Sequence, residues 1–275
     1  YHEEFDKQAE AIREVTDRHL ITQHPNTPYH PPTHTTAEAY YDKPYLSFSM
    51  CQSGHNDGDR VIVHRKCIEW NASLWNRPNP KPVVNGEAFY DSGGLTEGLH
   101  PKYRGTDRDV RATAYLSWCS GALGYTYGAY GLWNWDSNEA GIDFRTAMRF
   151  ASSEQMKALA LLLEPYAWWK LRPPGHFIVD NPQSWTKRMA MAVADDGSFG
   201  LAYMPDNESI TVRTEAFAGP VKALFYNPCT GDYVRAAKPE TSGDGGAVTY
   251  HRPDDGASGF GRPGGKDWVL VLEVV

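Results

Sequence analysis

Polar and aromatic side chains follow four short apolar runs of this sequence, at the point where each run ends. In chain order they are His24, Gln52 with His55, Glu87, and Tyr127 with Trp133 and Trp135. Imidazole and amide groups can bind hydroxyls, a carboxylate supports acid–base or covalent chemistry, and aromatic faces beside polar groups suit sugar rings. Each residue alone could equally be a structural loop residue, but the four positions together favour a sugar-binding or catalytic site.

These side chains need elements that bring them together, and the sequence predicts strands that alternate with helices. The apolar runs lie at 20–24, 46–52, 82–87 and 124–128, and helical patterns cover 3–18, 59–75, 107–123 and 144–164. This alternation predicts a parallel sheet, either open and doubly wound or part of a (β/α)8 barrel. No glycine-rich phosphate loop follows a run. Because barrel active sites gather at the carboxyl ends of several strands, the barrel is favoured.

The pattern changes after residue 175. Short apolar segments now follow one another closely, at 188–193, 199–204, 209–212, 221–226 and 268–273. Turn signals such as Asp195-Asp196-Gly197 separate them, which predicts an antiparallel β-sandwich. A long exposed loop is expected over 240–265, around one strand at 247–250. The predicted fold class is therefore α/β plus all-β, with a barrel-type domain over 1–175 and a sandwich over 176–275.

Composition excludes several classes of protein. The chain of 275 residues has 27 basic and 34 acidic side chains without a basic stripe, which argues against a nucleic-acid binder. No apolar run is long enough to span a membrane. The four cysteines are far apart and form no CxxC pair, which argues against a zinc site and predicts buried free thiols, with one or two disulfides left open: Cys51, Cys67, Cys119 and Cys229. No catalytic metal or organic cofactor is expected.

Several segments resemble the apiosidase-like glycoside hydrolases, which are (β/α)8 enzymes of the large retaining clan. The similar strings are HLITQHP (19–25), SFSMCQSGH (47–55), KPVVNGEAFYD (81–91) and GALGYTYGAYGLWNW (121–135). The tail strings VKALFYNPCTGDY (221–233) and DWVLVLE (267–273) are similar to the β domain that follows this barrel, often labelled collagen-binding. The resemblance implies that this chain is the C-terminal half of a barrel, with strands five to eight, followed by the β domain.

The resemblance also implies which carboxyl groups act. Glu87, in the motif Asn85-Gly86-Glu87, matches the nucleophile at the end of the seventh strand. The clan's acid/base ends the fourth strand and would lie upstream of Tyr1. Retaining hydrolysis needs both groups about 5–5.5 Å apart. The chain begins inside a predicted helix, with neither an initiator Met nor a signal peptide. We therefore expect a companion chain that carries the first four βα units; nearby carboxylates that could replace its acid are Asp57, Asp59, Asp91 and Asp136.

The remaining candidates are expected to surround the bound sugar. Residues expected to bind hydroxyls or orient Glu87 are His24, Gln52 and His55. Residues expected to form a stacking platform are Tyr127, Trp133 and Trp135, with Asn134 or Asp136 as further hydroxyl ligands. No metal ligand is expected among them.

The predicted function is therefore the retaining hydrolysis of plant or microbial polysaccharide side chains. A periplasmic or extracellular location is expected, because polymer-degrading hydrolases are usually exported. Two alternatives stay open. One is a non-catalytic carbohydrate- or protein-binding module, and the other is a structural surface protein that binds through residues 176–275.

Overall fold

The first part of the chain forms helices around a small parallel sheet. The computed structural model of the protein describes residues 2–25, 35–36, 39–54, 60–92, 105–133, 135, 142–173, 175–241, 246–253 and 266–275. The helices are α1 (His2–Val15), α2 (Arg60–Trp75), α3 (Asp107–Trp118), α4 (Phe144–Ala147) and α5 (Ala151–Leu163). The strands, which pair in parallel and in chain order, are β1 (Ser49–Cys51), β2 (Val83–Asn85) and β3 (Gly124–Tyr125). The predicted parallel pairing is confirmed for these three strands.

The first of the four predicted strands is not formed, and residues 20–25 are irregular backbone instead. This segment runs beside the start of β1, where Ser47 N donates to Ile21 O at 2.8 Å. The neighbouring bonds use side-chain hydroxyls: Ile21 N donates to Ser47 Oγ at 3.0 Å, and Thr22 Oγ1 donates to Phe48 O at 2.8 Å. Since hydroxyls replace backbone partners, the segment stays close to the sheet without becoming a strand.

Two helices end or divide earlier than predicted. Helix α3 ends at Trp118 instead of 123, because Gly121 has a φ of 105°, which lies in the left-handed region. The predicted helix over 144–164 is divided into α4 and α5, because Phe150 is extended, with ψ 140°. Helices α1 and α2 lie within a few residues of their predicted bounds.

Antiparallel sheets form the second part of the chain, as predicted. The strands are β4 (Leu171–Arg172), β5 (Ile178–Val179), β6 (Ala190–Ala194), β7 (Phe199–Met204), β8 (Ser209–Arg213), β9 (Val221–Tyr226), β10 (Tyr233–Arg235), β11 (Glu240–Thr241), β12 (Ala247–His251) and β13 (Trp268–Val274). One sheet has the order β10-β9-β13-β7-β6-β4 and the other has the order β11-β12-β8-β5. All described pairings within these two sheets are antiparallel.

The six-stranded sheet is buried on both faces. Alternate residues of β7 and β13, such as Met204 and Leu270, face the four-stranded sheet. The residues between them, such as Tyr203 and Val271, pack with the side chains of α3 and α5 in a second core. Because successive strand residues point to opposite faces, one sheet serves both cores. The helical part and the sandwich therefore share the core that lies between the helices and the six-stranded sheet.

A buried ion pair joins helix α3 to this sheet. The guanidinium of Arg111 donates from Nε and Nη2 to the two carboxylate oxygens of Asp267, both at 2.8 Å. Arg111 Nη1 also donates to Gln155 Oε1 at 2.6 Å. The Tyr203 hydroxyl donates to Asp267 Oδ2 at 2.9 Å. Burial alone would lower the pKa of Arg111, but the charge and hydrogen bonds of Asp267 outweigh it and raise the pKa above its ordinary value.

The described cysteines are all free thiols. Cys51, Cys67 and Cys119 are buried, and Cys229 is half-buried. Burial raises the pKa of Cys67 to about 11, so this thiol stays protonated at neutral pH. Within the described ranges no group of three or more metal-ligating side chains comes together, and no described helix is long and apolar enough to cross a membrane.

We predict that Asp267→Ala lowers the free energy of unfolding by about 3–5 kcal/mol, because the buried Arg111 guanidinium loses its bidentate partner and keeps only the more distant carboxylate of Asp107, at 3.4 Å. The matched control is Glu69→Ala, which breaks an exposed ion pair with Arg65 and is expected to change stability by at most about 1 kcal/mol. Denaturant unfolding followed by tryptophan fluorescence measures both. Equal effects of the two substitutions would contradict the importance of the buried pair.

Candidate active site

Glu87 lies just beyond the carboxyl end of β2, and backbone bonds from the neighbouring strand hold it there. Gly86 N donates to Cys51 O at 2.9 Å, and Gly54 N donates to Glu87 O at 3.2 Å. A Cβ atom on Gly86 would overlap the Sδ atom of Met50, so glycine lets β1 and this turn approach closely. The parallel contact between the two segments therefore continues past the ends of the strands.

The carboxylate of Glu87 is largely buried and meets hydrogen-bond donors from two other segments. Gln52 Nε2 donates to Glu87 Oε2 at 2.6 Å, and His24 Nε2 lies 3.3 Å from the same oxygen. The Glu87 side chain is 16% exposed, against 48% for His24. His24 Nδ1 lies 2.9 Å from Pro25 O, a group that can only accept. Both imidazole nitrogens therefore face oxygen acceptors.

Tyr90 is a third partner of Glu87 and was missed by the sequence analysis. Its phenol interacts with the Glu87 carboxylate. Burial, together with the Glu87 charge, raises the pKa of Tyr90 above its ordinary value. The Tyr90 ring contacts Tyr130 edge to face, with centroids 6.1 Å apart. The available signal was a phenol three residues after Glu87, but spacing alone does not show which way a loop side chain points.

A buried amide network lies beneath the carboxylate. Asn85 is fully buried, and its Nδ2 donates to Ser53 Oγ at 3.0 Å and to Ser117 Oγ at 2.9 Å. Ser117 lies in α3 and donates to Thr113 O at 2.6 Å. The end of β2 is thereby fixed both to the segment after β1 and to helix α3. No pattern in the sequence predicts this role for Asn85 or for either serine.

Tyr127 lies beyond the end of β3, and its hydroxyl is 2.9 Å from Ser152 Oγ at the start of α5. Ser152 Oγ in turn donates to Asp91 Oδ2 at 2.5 Å. The pKa of Asp91 lies above its ordinary value, because the effect of burial outweighs the opposite effect of the hydrogen bonds from Ser152 and Ser92. Asp91 is 5% exposed, and its described side-chain bonds come from Ser92 and Ser152. Its role as a replacement acid stays a prediction.

The two tryptophans of the expected platform are exposed. Trp133 is 56% exposed and Trp135 is 68% exposed. Trp135 stacks on Phe144, with ring centroids 4.7 Å apart and planes 14° apart. Trp133 contacts Tyr130 edge to face at 6.4 Å, and Tyr130 contacts Tyr90 in the same way. An aromatic row therefore leads from the carboxylate to the surface.

The structure brings together His24, Gln52 and Glu87 of the residues predicted from sequence. Tyr127, Trp133 and Trp135 lie beyond β3, and no contact links them directly to Glu87 among the bonds described above. Some earlier candidates lie outside the described residues: His55, Asp57, Asp59, Asn134 and Asp136. What the described groups can do is hold one carboxylate in a fixed orientation beside hydroxyl-binding and aromatic side chains.

We predict that Gly128→Ala disturbs this arrangement, because a Cβ atom at position 128 would overlap the ring of Tyr90. The free energy of unfolding should fall by about 1–3 kcal/mol, as for other overpacked sites. Gly246→Ala is the matched control, since no atom lies within 4 Å of its added Cβ. Denaturant unfolding measures both variants. Equal stability of the two would contradict close packing of Tyr90 against the backbone.

Comparison with solved structures identifies the fold. A glycoside hydrolase family 5 protein from Bacteroides vulgatus ATCC 8482 superimposes with a TM-score of 0.79 at 22% identity, over 98% of this chain and 59% of that chain. A second structure, described as a glycoside hydrolase, has a TM-score of 0.76 at 22% identity, over 97% of this chain and 60% of that chain. The chain thus spans about 60% of the length of these structures, and it shares their barrel-type fold. No curated protein sequence matches significantly.

Family models match both parts of the chain. The model described as "Putative collagen-binding domain of a collagenase" matches residues 173–273, which contain most of the antiparallel strands. The model described as "Apiosidase-like, catalytic domain" matches residues 2–170, which include Glu87 and all its described partners. The resemblance seen in the sequence is confirmed, and the chain belongs to the apiosidase-like family of catalytic domains.

Proposed function

We propose that the protein is a retaining glycoside hydrolase that acts on polysaccharide side chains, with Glu87 as the nucleophile. The observation that carries the proposal is the carboxylate of Glu87 at a strand end, largely buried, bound by Gln52 at 2.6 Å and with His24 at 3.3 Å. A carboxylate held in this way loses little freedom when it attacks, because its partners already define its orientation. Family membership supports the same chemistry.

In the proposed reaction, a Glu87 oxygen attacks the anomeric carbon while an acid protonates the departing glycosidic oxygen. The bond between that oxygen and the anomeric carbon breaks, and a glycosyl ester of Glu87 forms. Water, deprotonated by the same acid/base group, then attacks the anomeric carbon and releases Glu87. Gln52 and His24 contact the Glu87 carboxylate as donors, and the proposal assigns the acid/base role to a separate carboxyl group.

We further propose that the acid/base is carried by a companion half-barrel. Three described parallel strands cannot close a barrel, and among the described residues β3 pairs only with β2. Beside β3 lies a groove of about 660 Å³ between α3 and α5, whose apolar lining includes Trp118, Leu123, Met156, Leu159 and Trp168. A strand paired with β3 would cover this groove, which would otherwise leave apolar surface in water.

The proposed assembly divides the chain into a half-barrel over 1–175 and a sandwich over 176–275. His24 and Gln52 then orient Glu87, and His55, which lies outside the described residues, joins them as a hydroxyl ligand. Tyr127, Trp133 and Trp135 form the wall on which a sugar ring stacks, supported by the exposure of both tryptophans. A periplasmic or extracellular location is part of the same proposal, because the substrate is a polymer.

Substitution of the carboxylate tests the chemistry. We predict that Glu87→Gln, measured after the chain is combined with a polypeptide that carries the first four βα units, lowers kcat roughly 10³-fold or more, since an amide cannot form the glycosyl ester. Substrate affinity should change much less, because the amide fills the same space. Glu69→Gln, on the exposed face of α2, is the control and should keep full activity. A binding module would instead show no hydrolysis in any form of the protein. Its affinity for the glycan would be the same in both variants.

Reconstitution tests the companion half. The 275-residue chain is expected to be inactive alone and to gain hydrolytic activity when a polypeptide with the first four βα units is added. Proton NMR of the first product should show the anomeric configuration of the substrate, as retention requires. A folded, active monomer of the 275 residues alone would rule out the companion half. An inverted product would rule out the role of Glu87 as nucleophile.

A further inference from the structure

A second polar site lies away from the strand ends. The first turns of α2 and α3 meet the Pro205–Asp206 turn of the sandwich around a cleft of about 170 Å³. Its charged and titratable lining consists of Arg60, His64, Arg108, Asp109, Lys187 and Asp206. These residues come from two helices and from the sandwich, and none of them belongs to the cluster around Glu87. Nothing in the proposed hydrolysis uses this cleft.

In the lining of this cleft, His64 is a buried side chain whose ring nitrogens lack hydrogen-bond partners among the described residues. It is 3% exposed. Buried polar side chains in folded proteins almost always bond to something, because an unpaired donor or acceptor costs stability. His64 lines the cleft, so a group within the cleft can supply the missing partner. That group does not come from the described chain.

The charges of the cleft indicate what kind of group this is. Three cations, Arg60, Arg108 and Lys187, face two carboxylates, Asp109 and Asp206. Arg60 and Asp109 bind each other through two hydrogen bonds, at 2.5 and 3.2 Å. The lining of the cleft therefore carries one net positive charge, while the positive end of the α3 dipole is already met by Asp107 and Asp109 in the first turn of that helix. Such surroundings attract an anion.

Arg108 is positioned to hold such an anion. Its Nη2 donates to Pro205 O at 2.9 Å, which fixes the guanidinium at the junction between α3 and the sandwich. A guanidinium has five N–H donors, so one bond to a carbonyl does not exhaust it. Planar guanidinium groups match the oxygen pairs of carboxylates and phosphates.

The titration of His64 is consistent with a cleft made for a negative charge. Burial is the main cause that lowers the pKa of His64 to about 4, and Arg60 and Arg108 lower it further. Asp109 and the backbone of Trp185 act in the opposite direction, although the Trp185 backbone does not reach hydrogen-bond geometry. An anion beside the ring would stabilise the protonated imidazole and raise this pKa.

We propose that this cleft binds a small oxyanion, with His64 and Arg108 as its donors. The shared chemistry is a phosphate or carboxylate group, whose source is either a free ion or the acid group of a sugar. The volume suits a group of this size, and the cleft lies where helical part and sandwich meet. A bound oxyanion would therefore bridge the two parts.

Calorimetric titration of the full protein at neutral pH tests the proposal, with inorganic phosphate and glucuronate as separate probes. Saturable binding of phosphate alone indicates a free ion, binding of glucuronate alone indicates a sugar acid, and binding of both indicates a general oxyanion site. Arg108→Gln should weaken binding about tenfold or more, because a charged hydrogen bond is lost. Arg235→Gln, an exposed residue of β10, is the control and should bind as the unchanged protein does.

A second variant keeps the test decisive if Arg108→Gln folds poorly. His64→Leu fills a similar volume without polar atoms, so it should fold at least as well as the unchanged protein and lose anion binding. NMR of the His64 ring gives an independent readout, since its pKa should rise when the anion binds. Two results would overturn the proposal: no saturable binding of either probe, or unchanged binding in both His64→Leu and Arg108→Gln.

Discussion

The position of the Glu87 carboxylate depends on how helix α3 is held. Arg111 fixes the first half of this helix to Asp267, 2.8 Å away, at the start of the central strand β13. One and a half turns later Ser117 bonds to Asn85, which ends β2 two residues before Glu87. Burying an ion pair gains little free energy over an apolar contact, but it allows only one alignment of its partners. The sandwich thus sets the register of the helix that supports the carboxylate.

The sandwich is consequently part of the same folded unit as the helices. Its six-stranded sheet presents Leu201 and Val269 to the helices and Ala202 and Leu270 to the other sheet. If residues 176–275 were separated from the helices, one whole face of buried apolar side chains would meet water. A binding role for the isolated sandwich is hard to reconcile with this arrangement. The family model described as collagen-binding matches residues 173–273. In this protein, side chains from that region complete a hydrophobic core with the helices.

Local patterns predicted most of the elements, and long-range partners escaped prediction. Alternation and turn residues indicated the antiparallel strands, and strand ends indicated that Gln52 and Glu87 lie together. The bond between Arg111 and Asp267 joins positions 156 residues apart, and no local pattern marks it. Residues 20–25 have the composition of a strand, but hydroxyl groups take the places of its backbone partners. Element type follows from short-range preferences, whereas pairing depends on tertiary geometry.

The partners of Glu87 come from segments that are distant in the chain, so its orientation, and with it the position required of an opposing acid, depends on how these segments pack. His24 precedes β1, Gln52 follows it, and Tyr90 follows β2, so three segments must be in register before the carboxylate is oriented. A retaining enzyme also needs its second carboxyl within about 5–5.5 Å, a distance that tolerates little error. The proposed companion half-barrel would therefore have to dock rigidly. The apolar groove between α3 and α5 suits this need, because close-packed apolar surfaces fix geometry more tightly than a few exposed polar contacts do.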